Sequence, residues 1–177
     1  MSSRLHLQTK RLRLRPLCGD DVWFLLRLFN EPSFLENIGD RGLKTPEHAA
    51  LYLEQGPGAS YVEHGDGLLA VERRGEPAAV GICGLVRREG LDAPDLGFAF
   101  LPEVFGRGFA TEASEAVLAS CRGTTIGRVL AVTGVTNAAS MRVLAKLGFE
   151  PLGRRRLPGD SEQVELFELV LASASAD

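Results

Sequence analysis

Two glycines one residue apart, Gly106 and Gly108, stand where an apolar strand-like run, Leu96 to Leu101, gives way to a helix-like run, Thr111 to Cys121. Without a Cβ, these positions reach backbone conformations closed to other residues. A helix opening straight from such a loop turns several N–H groups into one concavity, where the macrodipole favours an anion. Arg107, between the glycines, adds positive charge. A β-branched run, Arg128 to Thr136, comes next. The strand-loop-helix-strand unit from Asp95 to Thr136 predicts a right-handed crossover between two parallel strands. The loop itself reads as a phosphate or diphosphate cradle, or as an ordinary strand-to-helix turn. It is not a P-loop, since no Lys-Ser or Lys-Thr follows the second glycine. A dinucleotide fingerprint is also excluded, because Thr111 replaces its third small residue and roughly a hundred residues precede the loop.

Around this unit the periodicities place strands at Lys10 to Pro16, Leu68 to Arg73 and Pro77 to Val86 before the loop, and Phe149 to Arg156 and Val164 to Val170 after it. Asp20 or Asp21 caps a first helix carrying Val22, Leu25, Leu26 and Phe29 on one face, with Trp23 at the edge of the core. Glu31 to Lys44 reads as a loop. Thr45-Pro46-Glu47 then starts a second helix that ends near Gln55, before Gly56-Pro57-Gly58. Asn137 to Leu147 is a short helix closed by Gly148, and Ala172 to Asp177 should fray. The alternating Arg11, Arg13 and Arg15 read as a solvated strand face. The architecture expected is a mixed α/β (α+β) sandwich built on a mostly antiparallel sheet.

Bulk properties narrow the class. A chain of 177 residues suits a single domain, and 45% hydrophobic with 24% charged residues suits a soluble one with a full core. A net charge of -3 argues against general nucleic-acid binding. No apolar run approaches the length of a bilayer span, and the first residues lack the apolar core of a signal peptide. Cys18, Cys83 and Cys121 are scattered without metal-ligand spacing, and His6, His48 and His64 read as incidental. A reduced, cytoplasmic, metal-free protein is expected.

A second segment adds identity. Asn137-Ala-Ala-Ser140-Met-Arg-Val-Leu144-Ala-Lys146-Leu-Gly148-Phe149 resembles the acyl-coenzyme A motif of the GNAT acetyltransferase superfamily, in its RimJ/RimL-type N-acetyltransferase branch. Phe105 to Ala113 resembles that branch's diphosphate-binding loop, and Thr9 to Leu17 its opening strand. The likeness spans roughly residues 8 to 170 and implies a splayed pair of parallel strands with helices on both faces of the sheet. It implies acetyl transfer from acetyl-CoA to a primary amine, either a protein N-terminus or a small molecule, within a ternary complex. A non-catalytic acyl-CoA sensor on the same fold is the alternative, and a nucleotide-binding regulatory module fits the glycine loop alone. The oligomeric state, monomer or homodimer, stays open.

The resemblance also assigns residues. Phe105, Gly106, Arg107, Gly108, Phe109, Ala110 and Thr111 would surround the diphosphate, and the strand ending in Ala99, Phe100 and Leu101 would pair with the pantetheine arm, with Ala99 or Phe100 holding the oxyanion. Asn137 would bind the same arm or cap its helix, and Lys146 would meet the adenosine phosphate or stay solvated. Asp95 is the candidate base, or an exposed turn carboxylate after Pro94. Leu144 occupies the position of the family's usual tyrosine acid, so Ser140 is the candidate for protonating the thiolate, and Glu103 departs from the usual glutamine or arginine. Asn37, Asp40, Arg41 and Tyr61, with Glu63 and Asp66, are expected around a cationic acceptor. Cys83 invites an acyl-cysteine reading, but no histidine stands near it in sequence, and buried structural roles are commoner. Arg154-Arg155-Arg156 reads as a sheet-edge face.

Overall fold

The computed structural model describes residues 4–171, so the expectation for Ala172 to Asp177 lies outside the described residues. A short hairpin, β1 (Leu7–Gln8) and β2 (Leu12–Pro16), opens the chain. Helices α1 (Val22–Asn30), α2 (Pro32–Asn37), α3 (Pro46–Leu53) and α4 (Ala59–His64) follow, then β3 (Leu68–Arg73), β4 (Ala79–Val86) and β5 (Asp95–Phe100). The chain closes with α5 (Phe109–Cys121), β6 (Arg128–Gly134), α6 (Ala138–Lys146), β7 (Glu150–Arg155) and β8 (Val164–Val170). One eight-stranded sheet runs in the order β1-β2-β3-β4-β5-β6-β8-β7. Every neighbouring pair is antiparallel except β5 and β6.

Side chains alternate across the sheet with period two, and each face builds its own core. Leu12, Leu14, Val71, Cys83, Leu96 and Val129 face α5 and α6, where Ala113, Val117 and Leu144 meet them. Ala70, Ile82 and Leu101 point the other way, against Leu25, Leu28, Phe29 and Phe34 from α1 and α2. Leu25 and Leu28 are fully buried, worth about 1.5–3 kcal/mol each in transfer free energy. Trp23 departs from its expected place. It lies on the far side of α1, 70% exposed. There it borders a hollow of about 770 Å³ shared with Phe24, Arg27 and Leu101.

Two local expectations need correction. The segment from Glu31 is not all loop, because Pro32 stands at the first turn of α2, where its fixed φ and missing N–H suit a helix start. Gly56-Pro57-Gly58 does not stop the helical path either. A π turn over Glu54–Gly58 carries the chain from α3 into α4, which ends at Gly65 with φ +67°. A wider turn tolerates the N–H that Pro57 lacks.

The basic face of β2 is also not simply solvated. Arg13 and Arg15 both bind the buried carboxylate of Glu72 on β3, at 2.9 and 2.6 Å. Arg15 further holds Asp21 through two bonds of 2.7 and 2.9 Å. Asp21 does not cap α1 itself; its side chain accepts from the backbone N–H of Cys18 and closes a capping box on the short 3-10 turn, Gly19–Asp21, that leads into α1. Two cations and two carboxylates thus neutralise one another where the hairpin meets the first helix.

Candidate active site

The parallel pair β5–β6 shares only one register position, Asp95 opposite Leu130. Beyond it the strands diverge. On its other edge β5 stays fully paired with β4 through the position of Phe100, and Leu101 donates to Val80 at 2.9 Å. In an antiparallel ladder this bond fixes the parity, so the amides of Ala99 and Gly97 also face β4 while those of Phe98 and Phe100 face β6. Pro94 agrees, its carbonyl accepting from Leu130 at 2.9 Å across the closed end of the wedge. Backbone groups of Phe98 and Phe100 therefore open into a gap inside the sheet, where unpaired amides demand partners. Of the two oxyanion candidates, Ala99 is already committed to β4. Phe100 is the one that faces the gap.

The glycine loop follows the same strand. Gly106 and Gly108 adopt φ values of +74° and +75°, which explains why both positions are glycine. Phe109, expected in the loop, already begins α5, two residues ahead of the anticipated start at Thr111. The first helical amide with a partner is that of Glu112, which donates to Gly108 at 3.1 Å. Phe105 and Gly106 form a turn, and among the described residues no backbone partner is seen for the N–H groups of Gly108, Phe109, Ala110 and Thr111. The loop is exposed, as is Phe105 at its rim, while Phe109 is buried beneath it. Glu103 takes no part, since both its oxygens accept from Arg27 at 3.0 Å.

Across the wedge, Asn137 ends the segment after β6 and caps α6, its side-chain oxygen accepting from the Ser140 N–H at 3.1 Å. Asn137 is buried, and its amide nitrogen makes no bond among the described residues. Asn137→Ala should lower stability by about 1 kcal/mol through the lost cap. Thermal unfolding would show this as a drop of about 2–4 °C. Ser140 is half-buried at the third position of the helix, and Lys146 is exposed at its far end.

At the closed end of the wedge lies Asp95. It is fully buried, not an exposed turn residue. One oxygen accepts from Arg88 at 2.9 Å, while the other makes no hydrogen bond. Burial pushes its carboxyl above the usual range, opposed by the charge of Arg88. Its side chain shares the face of Ala99, toward α1–α4, by the alternation of the strand. On that side the carbonyl of Asn37 lies 3.4 Å from where a Cβ on Gly134 would stand, so the end of α2 abuts the end of β6.

The acidic acceptor set does not assemble. Asp66 is buried and held by Arg4 and Arg87. Asp40 pairs with Lys44 at 2.9 Å and accepts from the Gly42 N–H, which lowers its carboxyl below the usual range. Asn37 donates back to Ser33, while Arg41 is exposed on the same loop. Tyr61 is a strut: its hydroxyl accepts from the Leu17 N–H and donates to the Leu68 carbonyl, and burial pushes it up to about 12. The sequence offered no sign that Arg4 and Arg87 would hold Asp66 or that Leu17 would bind Tyr61, because these pairs join residues far apart in the chain.

Residues 11–150 match the acetyltransferase (GNAT) domain family. The chain belongs to the GNAT acetyltransferases. Over 149 residues it is 28% identical to the uncharacterized N-acetyltransferase YoaA of Bacillus subtilis (strain 168), with 83% of this chain and 84% of YoaA covered. An acetyltransferase from Agrobacterium tumefaciens superposes with a TM-score of 0.80 at 20% identity, covering 94% of each chain. RimL, the ribosomal L7/L12 alpha-N-protein acetyltransferase, in complex with coenzyme A, gives a TM-score of 0.78 at 17% identity over 92% of this chain and 96% of its own. Both structures share the fold, a mixed sheet with one parallel pair. Family membership makes this chain an N-acetyltransferase.

For a GNAT enzyme the cysteines are then easily read. Cys83 is fully buried against Ser114, 3.6 Å away, and burial pushes its thiol up to about 12. Cys121 is buried as well, and Cys18 is exposed. A thiol-reactive dye should titrate one cysteine quickly in the native protein and all three after denaturation. Rapid labelling of Cys83 would reopen the acyl-cysteine route.

Proposed function

We propose that this acetyltransferase moves the acetyl group of acetyl-CoA onto a primary amine by direct attack in a ternary complex, within a single cytoplasmic domain. The observation that carries this reading is the wedge: β5 and β6 part after one register position, and the Phe98 and Phe100 amides face the opening beside the glycine loop. An extended amide-bearing arm fits such a gap as an added strand, and a diphosphate fits the loop. Complexes of two structural neighbours support the donor. RimL is bound to coenzyme A, and the microcin C7 self-immunity acetyltransferase MccE to acetyl-CoA and AMP. No described helix is long and apolar enough to cross a membrane.

In this reading the N–H groups of Gly106, Arg107, Gly108, Phe109, Ala110 and Thr111 hold the diphosphate, with Phe105 at the rim and Lys146 near the adenosine phosphate. Leu101 and Asn137 flank the pantetheine arm. The Phe100 N–H faces the developing oxyanion, a contribution of about 3 kcal/mol in comparable sites. Asp95, five strand residues from Phe100, takes the amine's proton through a chain of waters, and Ser140 returns one to the leaving thiolate. Asn37, Asp40 and Arg41 border the acceptor. A protein N-terminus is the preferred acceptor class, supported by RimL acting on a ribosomal protein. Isothermal calorimetry tests the donor: CoA and acetyl-CoA should bind and ATP should not. Absence of CoA binding at millimolar concentration would overturn the reading.

A further inference from the structure

Arg11 lies in the turn between β1 and β2, nearly a hundred residues before the glycine loop, yet its guanidinium is built into that loop. One terminal nitrogen donates to the Arg107 carbonyl at 2.9 Å. Its Nε and its other terminal nitrogen hold Glu112, on the first turn of α5, at 2.6 Å. Its carbon centre stacks over the Phe109 ring at 4.7 Å from the centroid. The second oxygen of Glu112 is anchored by the Thr9 hydroxyl at 2.5 Å and the Arg11 N–H at 3.0 Å.

This arrangement has a directional consequence. A planar trans peptide points its C=O and its N–H to opposite sides. Holding the Arg107 carbonyl toward β2 therefore turns the Gly108 N–H away from β2, to the other side of the loop. Gly108, at φ +75°, has no side chain to fix that peptide by itself. Glu112 poses the opposite problem, because a carboxylate at a helix N-terminus would repel an incoming anion, and Arg11 cancels it. We propose that Arg11 is a positioning residue for the donor's diphosphate: it orients the Gly108 N–H through the Arg107 carbonyl and neutralises Glu112 beside the anion. The inference rests on the reading that this loop takes the diphosphate of CoA.

Calorimetric titration with CoA tests it in three variants. Arg11→Gln should weaken binding at least about tenfold, as expected for loss of a charge-assisted contact. Arg11→Lys keeps the charge without the two-sided grip and should fall between wild type and Arg11→Gln. Glu112→Gln keeps an acceptor for Thr9 and leaves Arg11 on the Arg107 carbonyl while removing the negative charge. It should bind CoA at least as tightly as wild type. Opposite effects from two partners of one ion pair would not arise from a contact that merely ties strand to helix. Arg11→Gln binding within about threefold of wild type, or looser binding in Glu112→Gln, would overturn the proposal. If Arg11→Gln does not fold, Arg11→Lys and Glu112→Gln decide by the sign of their effects. A wild-type chain that ignores CoA would instead remove the donor reading itself.

Discussion

Asp95→Asn is expected to lower kcat/KM by about 10²–10⁴-fold and, at neutral pH, to stabilise the fold. Both effects come from one carboxylate at the closed end of the wedge, fully buried, with one oxygen on Arg88 and the other unpartnered. An aspartate in an unfolded chain titrates near 3.9. Burial raises Asp95 above that value, and Arg88 offsets only part of the rise. Between the two values the folded chain keeps a proton that the unfolded chain has released, so stability falls as pH rises through this window and stays lower above it. Asparagine carries no such cost, and the partly exposed Arg88 side chain can turn to water. Wild type and Asp95→Asn should therefore approach each other in stability at pH below the unfolded value and separate at neutral pH, with the variant unfolding at higher temperature. Activity within about threefold of wild type, or a lower unfolding temperature at pH 7, would contradict the role given to Asp95.

Gly84→Ala is expected to be the most damaging small substitution, costing about 3 kcal/mol, the upper end of the range for overpacking. Gly84 lies in β4, opposite Leu68 of β3 and Gly97 of β5. An added Cβ would run into the Gly67 carbonyl and approach the Cα of Leu68 to 2.8 Å. These are backbone atoms of a paired strand, and no side-chain rotation relieves the clash. Urea denaturation would measure the loss, and a change below about 1 kcal/mol would refute the close approach. The adjacent Cys83 drew attention in the sequence as a nucleophile, while the glycine beside it carries the tighter constraint.

The backbone geometry of the proposed donor half was legible because its signals are local. Gly106, Gly108 and Asn137 each serve the backbone within a few residues of themselves, and Gly148 ends α6 at φ +84° as a C-cap glycine should. The order of the strands from β2 to β8 and of α1, α3, α5 and α6 also follows from local periodicity, with the crossover rule giving the parallel pair, while β1, α2 and α4 were not legible. What stayed hidden depends on partners distant in sequence. Asp66 looked available to a substrate until Arg4 and Arg87 closed on it, and Tyr61 until Leu17 and Leu68 claimed its hydroxyl. Arg11, read as one of three solvated cations, reaches the glycine loop only because β2 and α5 come together in the fold. Trp23 misled in the opposite sense, since its apolar bulk suggested burial while the helical spacing of Leu25, Leu28 and Phe29 turned it outward.

Free-thiol release from acetyl-CoA is the most direct measurement on the account as a whole. The purified chain is mixed with acetyl-CoA and challenged with peptides bearing free N-termini, peptides with blocked N-termini and small primary amines. Thiol release that requires both enzyme and a free amine, with a matching acetylated product and a loss of about 10²–10⁴-fold in Asp95→Asn, is the result predicted. Tight binding of CoA with no amine-dependent release would contradict direct transfer to an amine and leave the wedge as a site that binds a thioester without using it.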